Sequence, residues 1–140
     1  MPLLEADSRV RYLMGLGSPV DLLEAVHRGV DVFDSVLPAR VARNAQAWVP
    51  GGRLNLRNEQ FRDDPRPIQE GCRCLACRRF SRAYLRHLFK SGEILGLRLN
   101  TLHNLHFFLS LMGQARAAIE GDRYGDFLKD FHARPTTPEL

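Results

Sequence analysis

The chain has 140 residues, 44% of them hydrophobic, and a formal net charge of +4. That composition can bury a core and excludes a natively disordered chain. No apolar run reaches the length of a membrane span, and the N-terminus MPLLEADSRV is mixed and polar, so neither a membrane protein nor a secretory leader is expected, and the expected location is the cytoplasm. Three cysteines within six positions cannot pair evenly, which argues against a disulfide framework. Between Arg40 and Arg86 stand eleven arginines and only four acids, Glu59, Asp63, Asp64 and Glu70. This middle segment carries an excess of seven positive charges and leaves the flanks mildly acidic, a footprint suited to a phosphate-rich partner.

Arg11–Gly15 (RYLMG) reads as a short buried strand. Ser18-Pro19 supplies an N-cap and a proline suited to the first helical position. Leu22, Leu23 and Val26 then share one helix face, and Gly29 is placed to end that helix. Val30–Leu37 (VDVFDSVL) reads as a second strand stopped by Pro38. Strand, helix and strand joined by short links form a βαβ unit with parallel strands. Beyond Pro38, Gln46–Trp48 and Arg53–Leu56 flank Val49-Pro50-Gly51-Gly52, a hairpin turn. Phe61–Gly71 is a charged, proline-bearing loop. Phe80, Ala83, Tyr84 and Leu88 predict a helix over Arg79–Phe89 that ends near Ser91-Gly92. A longer helix covers Leu99–Ile119, with Leu102, Leu105, Phe108, Leu109 and Met112 as its buried stripe. A short helix around Tyr124–Phe131 precedes a polar tail.

Cys72-x-Cys74-x2-Cys77 brings three thiols within reach of one tetrahedral ion. Zinc is its natural occupant, completed by an imidazole. His27, His87, His103, His106 and His132 compete for the fourth place. His27 sits on the βαβ helix and His132 near the chain end. His103 and His106 lie one turn apart at the start of the long helix, and spacing prefers His103 over His106 and His87 without deciding among them. Four protein ligands leave no open position for water, so the ion is expected to be structural.

The stretches RYLMGLGSP, GVDVFDSVLPARVARN, CRCLAC and LNTLHNLHFF strongly resemble the tRNA-guanine transglycosylases, or queuine tRNA-ribosyltransferases. The resemblance runs from Arg9 to about His132, with the FDxVLPxR, CxCxxC and T-x-H-N-L blocks in the family's order. It implies that His103 is the fourth zinc ligand. It also implies an α/β fold: the C-terminal two βα units of a TIM (β/α)8 barrel, with a zinc-binding lobe (a β-hairpin plus a helix) inserted before the last barrel helix. A whole barrel takes about 250 residues. The expected division is residues 1–37 as partial barrel and 38–98 as arginine-rich loop, hairpin and zinc lobe. Residues 99–132 form the final barrel helix and a short C-terminal helix, and 133–140 the tail.

By the same resemblance Asp34 is the nucleophile that attacks C1′ of the wobble guanosine and displaces guanine, after which a 7-deazaguanine base resolves the covalent intermediate. This is the logic of a retaining glycosidase. Asp31 is a second carboxylate on the same segment, and only the motif separates the two. Arg40 and Arg43 match positions that contact the anticodon loop of tRNA, and Met14 and Gly15 match positions lining the base pocket. Ala39, Ala45, Ser35 and Ser18 depart from the family's commoner threonine, glycine, cysteine and lysine. The family's second aspartate lies upstream of this chain, so the isolated chain is expected to be inactive. Its expected partners are tRNA, the base, and a second copy or a complementary N-terminal half. The competing expectation is a non-catalytic, zinc-stabilised module that binds RNA or a partner subunit; retention of Asp34 favours the enzyme.

Overall fold

The computed structural model describes residues 7–135; the first six residues of the polar N-terminus and the last five of the expected tail lie outside them. The chain forms two compact units, one of residues up to Leu37 together with Leu111–Ala133, the other of Pro38–Ser110. No helix among the described residues is long and apolar enough to cross a membrane.

In the first unit, strands β1 (Tyr12–Leu13) and β2 (Val32–Phe33) pair in parallel, Tyr12 with Val32 and Leu13 with Phe33. Helix α1 (Pro19–His27) connects them, as the βαβ pattern requires. Ser18 caps it, its Oγ accepting from the Asp21 N–H at 3.1 Å, and Gly29 follows the helix at φ +91. This is the left-handed position where glycine carries no Cβ penalty. Helix α6 (Tyr124–Ala133) packs on α1: the Tyr124 hydroxyl donates to the Leu23 carbonyl at 2.7 Å, its ring stacks on His27, and His132 meets Glu24 at 2.9 Å.

The strands depart from the buried reading. Tyr12 is 53%, Met14 72% and Val32 45% exposed. Parallel strands carry apolar runs because helices or further strands cover both faces. Two strands with one crossover helix leave those runs open, and the ladder shrinks to two residues each. Pro38 does not merely stop a strand. It stands in the first turn of helix α2 (Leu37–Arg43), where its missing N–H costs nothing.

In the second unit, strands β3 (Gln46–Val49) and β4 (Gly52–Asn55) form the expected antiparallel hairpin, with Ala47 opposite Leu54. The expected Arg79–Phe89 helix is α4 (Arg82–Lys90), and a short helix the pattern did not show, α3 (Leu75–Arg79), precedes it. Phe80 breaks them apart in an extended conformation, and Ser81 caps α4 through its Oγ on the Tyr84 N–H. Helix α5 (Ile94–Glu120) is longer than its pattern suggests. Its buried face is Leu99, Asn100, His103, Asn104 and Phe108, whereas Leu102 and Leu109 of the expected stripe are 45% and 73% exposed. The core of this unit joins Val49, Leu54, Leu56, Phe61, Ile68, Leu85, Leu88, Phe89 and Leu99.

The loop between hairpin and cysteines is held by a buried carboxylate. Asp64 accepts two hydrogen bonds from the Arg66 guanidinium, at 2.9 and 2.8 Å, and meets Arg82 at 3.3 Å. Arg82 also donates to the Pro67 and Ile68 carbonyls and lies over the Phe61 ring. The Arg66 hydrogen bond, with the charges of Arg66 and Arg82, pulls the Asp64 carboxyl down to about 2. A carboxyl whose folded value lies below its unfolded value, about 3.9, stabilises the fold fully above about pH 4 and loses that contribution as pH falls toward 2. Asp64→Asn is therefore expected to cost about 2 kcal/mol at pH 7. Urea denaturation of the zinc-loaded protein measures it, and an unchanged midpoint would contradict the assignment.

Candidate metal centre and carboxylate site

The metal-ligand side chains converge because the local chain is built to turn around them. Cys74 is the N-cap of α3, and its Sγ accepts from the Cys77 N–H at 3.3 Å. That turn points both thiols of Cys74-x2-Cys77 to one side, and Cys72 approaches from the loop before it. His103 comes from the buried face of α5. Its Nδ1 lies 3.8, 3.6 and 3.3 Å from the sulfurs of Cys72, Cys74 and Cys77, and all four ligand atoms lie within 4.8 Å of one another. Around a tetrahedral zinc, with bonds of about 2.3 Å to sulfur and 2.0–2.1 Å to nitrogen, a sulfur–nitrogen edge spans about 3.5–3.6 Å. The observed edges bracket that value.

The other ring nitrogen settles the ligand atom. His103 Nε2 lies 2.7 Å from the Trp48 carbonyl. A carbonyl only accepts, so the proton sits on Nε2 and the Nδ1 lone pair faces the sulfurs. His103, which spacing could not separate from His106 and His87, is thereby the histidine of the cluster.

Electrostatics calls for a cation. The Cys77 thiol is pushed up by donating its proton toward Cys74 and by burial, and burial pushes Cys72 up. Cys74 is lowered, chiefly by the hydrogen bond from Cys77. Three thiolates in so small and dry a volume need a divalent ion between them, and three soft sulfurs with one imidazole suit zinc. When bound, such an ion supplies cross-linking and leaves no coordination position for reacting groups. The cluster is a structural metal site.

Sequence reading missed what seats His103. Asn104 Nδ2 donates to the Pro38 and Gln46 carbonyls, each at 3.0 Å, and its Oδ1 accepts from the Trp48 N–H at 2.9 Å. Asn100 Nδ2 donates to the Ala42 and Gln46 carbonyls at 3.1 and 3.0 Å. All three polar residues are buried on one face of α5. The available signal was their spacing: asparagine, histidine and asparagine at i, i+3 and i+4 in an otherwise apolar helix.

In the other unit, Asp34 stands immediately after β2, at its carboxyl end. Its Oδ1 accepts from the Gly15 N–H at 2.8 Å. That bond first, and the Tyr12 hydroxyl second, hold its carboxyl below the usual aspartate value. Asp31 lies at the amino end, where its Oδ2 accepts from the Arg11 N–H at 2.8 Å. The two carboxylates thus cap opposite ends of the same strand pair. Met14 and Gly15 are exposed beside Asp34, Gly15 at φ +75. Arg40 and Arg43 are exposed on α2, in the metal-centre unit.

A family model described as Queuine tRNA-ribosyltransferase matches residues 1–137. The queuine tRNA-ribosyltransferase of Herpetosiphon aurantiacus is 56% identical over 133 residues, 95% of this chain and 34% of its own length. That of Symbiobacterium thermophilum is 54% identical over 96% of this chain and 33% of its own. That of Bacillus subtilis is 53% identical, with 95% and 35% covered. The chain spans about a third of the length of these relatives and matches their C-terminal part.

The protein is expected to carry one zinc per chain, and cobalt substitution should give the visible spectrum of a tetrahedral, sulfur-rich site. Cys74→Ser and His103→Ala should each lose the metal and the protease resistance of Pro38–Ser110. Stoichiometric zinc in a well-folded Cys74→Ser variant would overturn the ligand assignment.

Proposed function

Because this chain belongs to the queuine tRNA-ribosyltransferase family, we propose that it is the C-terminal part of a tRNA-guanine transglycosylase, with Asp34 as nucleophile. The observation that carries the reading is the state of Asp34: exposed, at a strand's carboxyl end, and kept ionised by the Gly15 N–H and the Tyr12 hydroxyl. Barrel enzymes place their reacting groups at that end of their strands. A module that only binds RNA or a partner subunit has no use for a carboxylate so prepared.

The reaction follows from that group. The carboxylate oxygen bonds to C1′ of the wobble guanosine as the C1′–N9 bond breaks, its electron pair leaving with guanine. N9 of a 7-deazaguanine base then attacks C1′, gives up its proton, and returns the carboxylate. Both steps pass through an oxocarbenium-like sugar beside a fixed negative charge. Met14 and Gly15 line one side of the base site. Arg40 and Arg43 hold phosphates or base edges of the anticodon loop. The acid–base partner comes from the N-terminal part found in the longer relatives, in one chain with this segment or as a separate half, and pairing of two copies is a further association. Such a part would cover the apolar side chains at Tyr12, Met14 and Val32, which stand open here.

The isolated chain is expected to show no exchange of labelled guanine into tRNA. Mixed with a polypeptide matching the N-terminal two thirds of a relative, it should exchange, and Asp34→Asn should abolish the activity by at least about 10³-fold, the order of loss seen when a nucleophile is removed. Exchange by the pure chain, or undiminished exchange with Asp34→Asn, would refute the reading.

A further inference from the structure

On the reading of Asp34 as nucleophile, we propose that Gly17 is a positioning residue for its carboxylate: the bare Cα lets the segment after β1 close onto the segment after β2, so that the Gly15 N–H reaches Asp34. Two glycines stand in the first segment, and their reasons differ. Gly15 adopts φ +75 with nothing within 4 Å of where a Cβ would sit, so its need is conformational. Gly17 is buried and not among the residues of positive φ; its need is space. A Cβ there would overlap Ser35 Oγ and lie 2.9 Å from both Ser35 Cβ and Leu37 Cβ.

The Ser35 hydroxyl could swing aside, though it would then release the Leu37 N–H that it accepts at 3.0 Å. The two Cβ atoms are fixed to their backbone and cannot. Carbons in ordinary contact stand at least about 3.5 Å apart, so an added methyl forces the segments apart by about 0.6 Å. Ser35 adjoins Asp34, and Gly15 is two residues from Gly17. The 2.8 Å bond between the Gly15 N–H and Asp34 Oδ1 would stretch to about 3.4 Å, the margin of hydrogen bonding. The carboxylate would lose the donor that chiefly orients it. In a reaction governed by alignment, a displacement approaching 1 Å costs on the order of 10²-fold in rate.

The test is the Gly15 amide proton of the zinc-loaded chain, read by NMR at neutral pH. Donation to a carboxylate moves it downfield, and Asp34→Asn supplies the reference for its weakening. Gly17→Ala is expected to move the Gly15 resonance upfield toward the Asp34→Asn position. The double variant Gly17→Ala, Ser35→Gly, which clears the Ser35 atoms and leaves the Leu37 contact, should recover part of the shift. Ser35→Ala alone should leave the resonance in place. A wild-type Gly15 resonance in folded Gly17→Ala overturns the proposal. Should that variant fail to fold, the double variant is read against Ser35→Gly alone: the remaining Leu37 contact should move the Gly15 resonance upfield, and an identical resonance in the two overturns the proposal. With the N-terminal part added, Gly17→Ala should lower kcat about 10²-fold with KM for tRNA little changed. If Asp34→Asn leaves exchange intact, the nucleophile reading falls, while the Gly15 resonance still decides the clamp.

Discussion

The metal-centre unit depends on one imidazole with both nitrogens committed. His103 gives its Nε2 proton to the Trp48 carbonyl and turns its Nδ1 to three sulfurs. The ring therefore joins the hairpin, the cysteine turn and the long helix, segments 26 to 55 residues apart in sequence. Closing such loops costs the chain entropy, which strong bonds to an ion can offset where a modest core would not. The arrangement is all or nothing. With an ion, both imidazole nitrogens and all three sulfurs are used; without one, the sulfurs crowd an imidazole lone pair that has nothing to bind, and a half-satisfied polar cluster is worse than an apolar one.

The same helix face extends the effect to the arginines. Asn100 and Asn104 occupy the carbonyls of Pro38 and Ala42, in the helix that carries Arg40 and Arg43, and both reach the carbonyl of Gln46. The Ala42 carbonyl belongs to the last turn of α2, where it accepts from the Ala45 N–H at 3.0 Å as well as from Asn100. Each such bond is worth about 1 kcal/mol net, but stranding its partners in a dry site costs more. A metal held by His103 would fix α5, and Asn100 and Asn104 of α5 fix α2, which presents Arg40 and Arg43. Metal and arginines are thus mechanically linked, although no arginine touches the metal ligands.

The sequence made the cysteines plain because their ligand spacing is local and survives any fold. His103 was not legible from pattern, since a helix that buries its ligands hides them from a hydrophobic reading. Leu102, Leu105 and Leu109 drew that reading to the exposed face, while Asn100, His103 and Asn104 made the true inner face look polar. The short strands misled in the opposite sense: their apolar runs are suited to a covered sheet, and this chain brings only two strands. Ala45 shows a third kind of limit. It adopts φ +62 at the exit of α2, a conformation costing a residue with a Cβ about 1–2 kcal/mol. The resemblance marks a glycine there, but only the backbone explains why. The fully buried Ala45 is kept in place by Leu56, whose N–H reaches its carbonyl at 2.9 Å.

Asp34 and Asp31 pose a chemical question that burial does not answer, since both are exposed. Donors that hold Asp34 ionised also lower its basicity, and a less basic oxygen is by itself a weaker nucleophile. That would be a poor exchange if the attacked carbon required a strong base. At an anomeric carbon it does not, because the leaving bond is largely broken before the new one forms and the sugar carries positive charge. On the proposed reading of Asp34 as nucleophile, what the site must supply is a negative charge at fixed position, free of a proton and unable to swing away. A carboxylate tied through one oxygen to a backbone N–H meets that need at the carboxyl end of the strands. Asp31, tied in the same way at the amino end, has the charge but sits where the loops of a barrel do not gather a substrate.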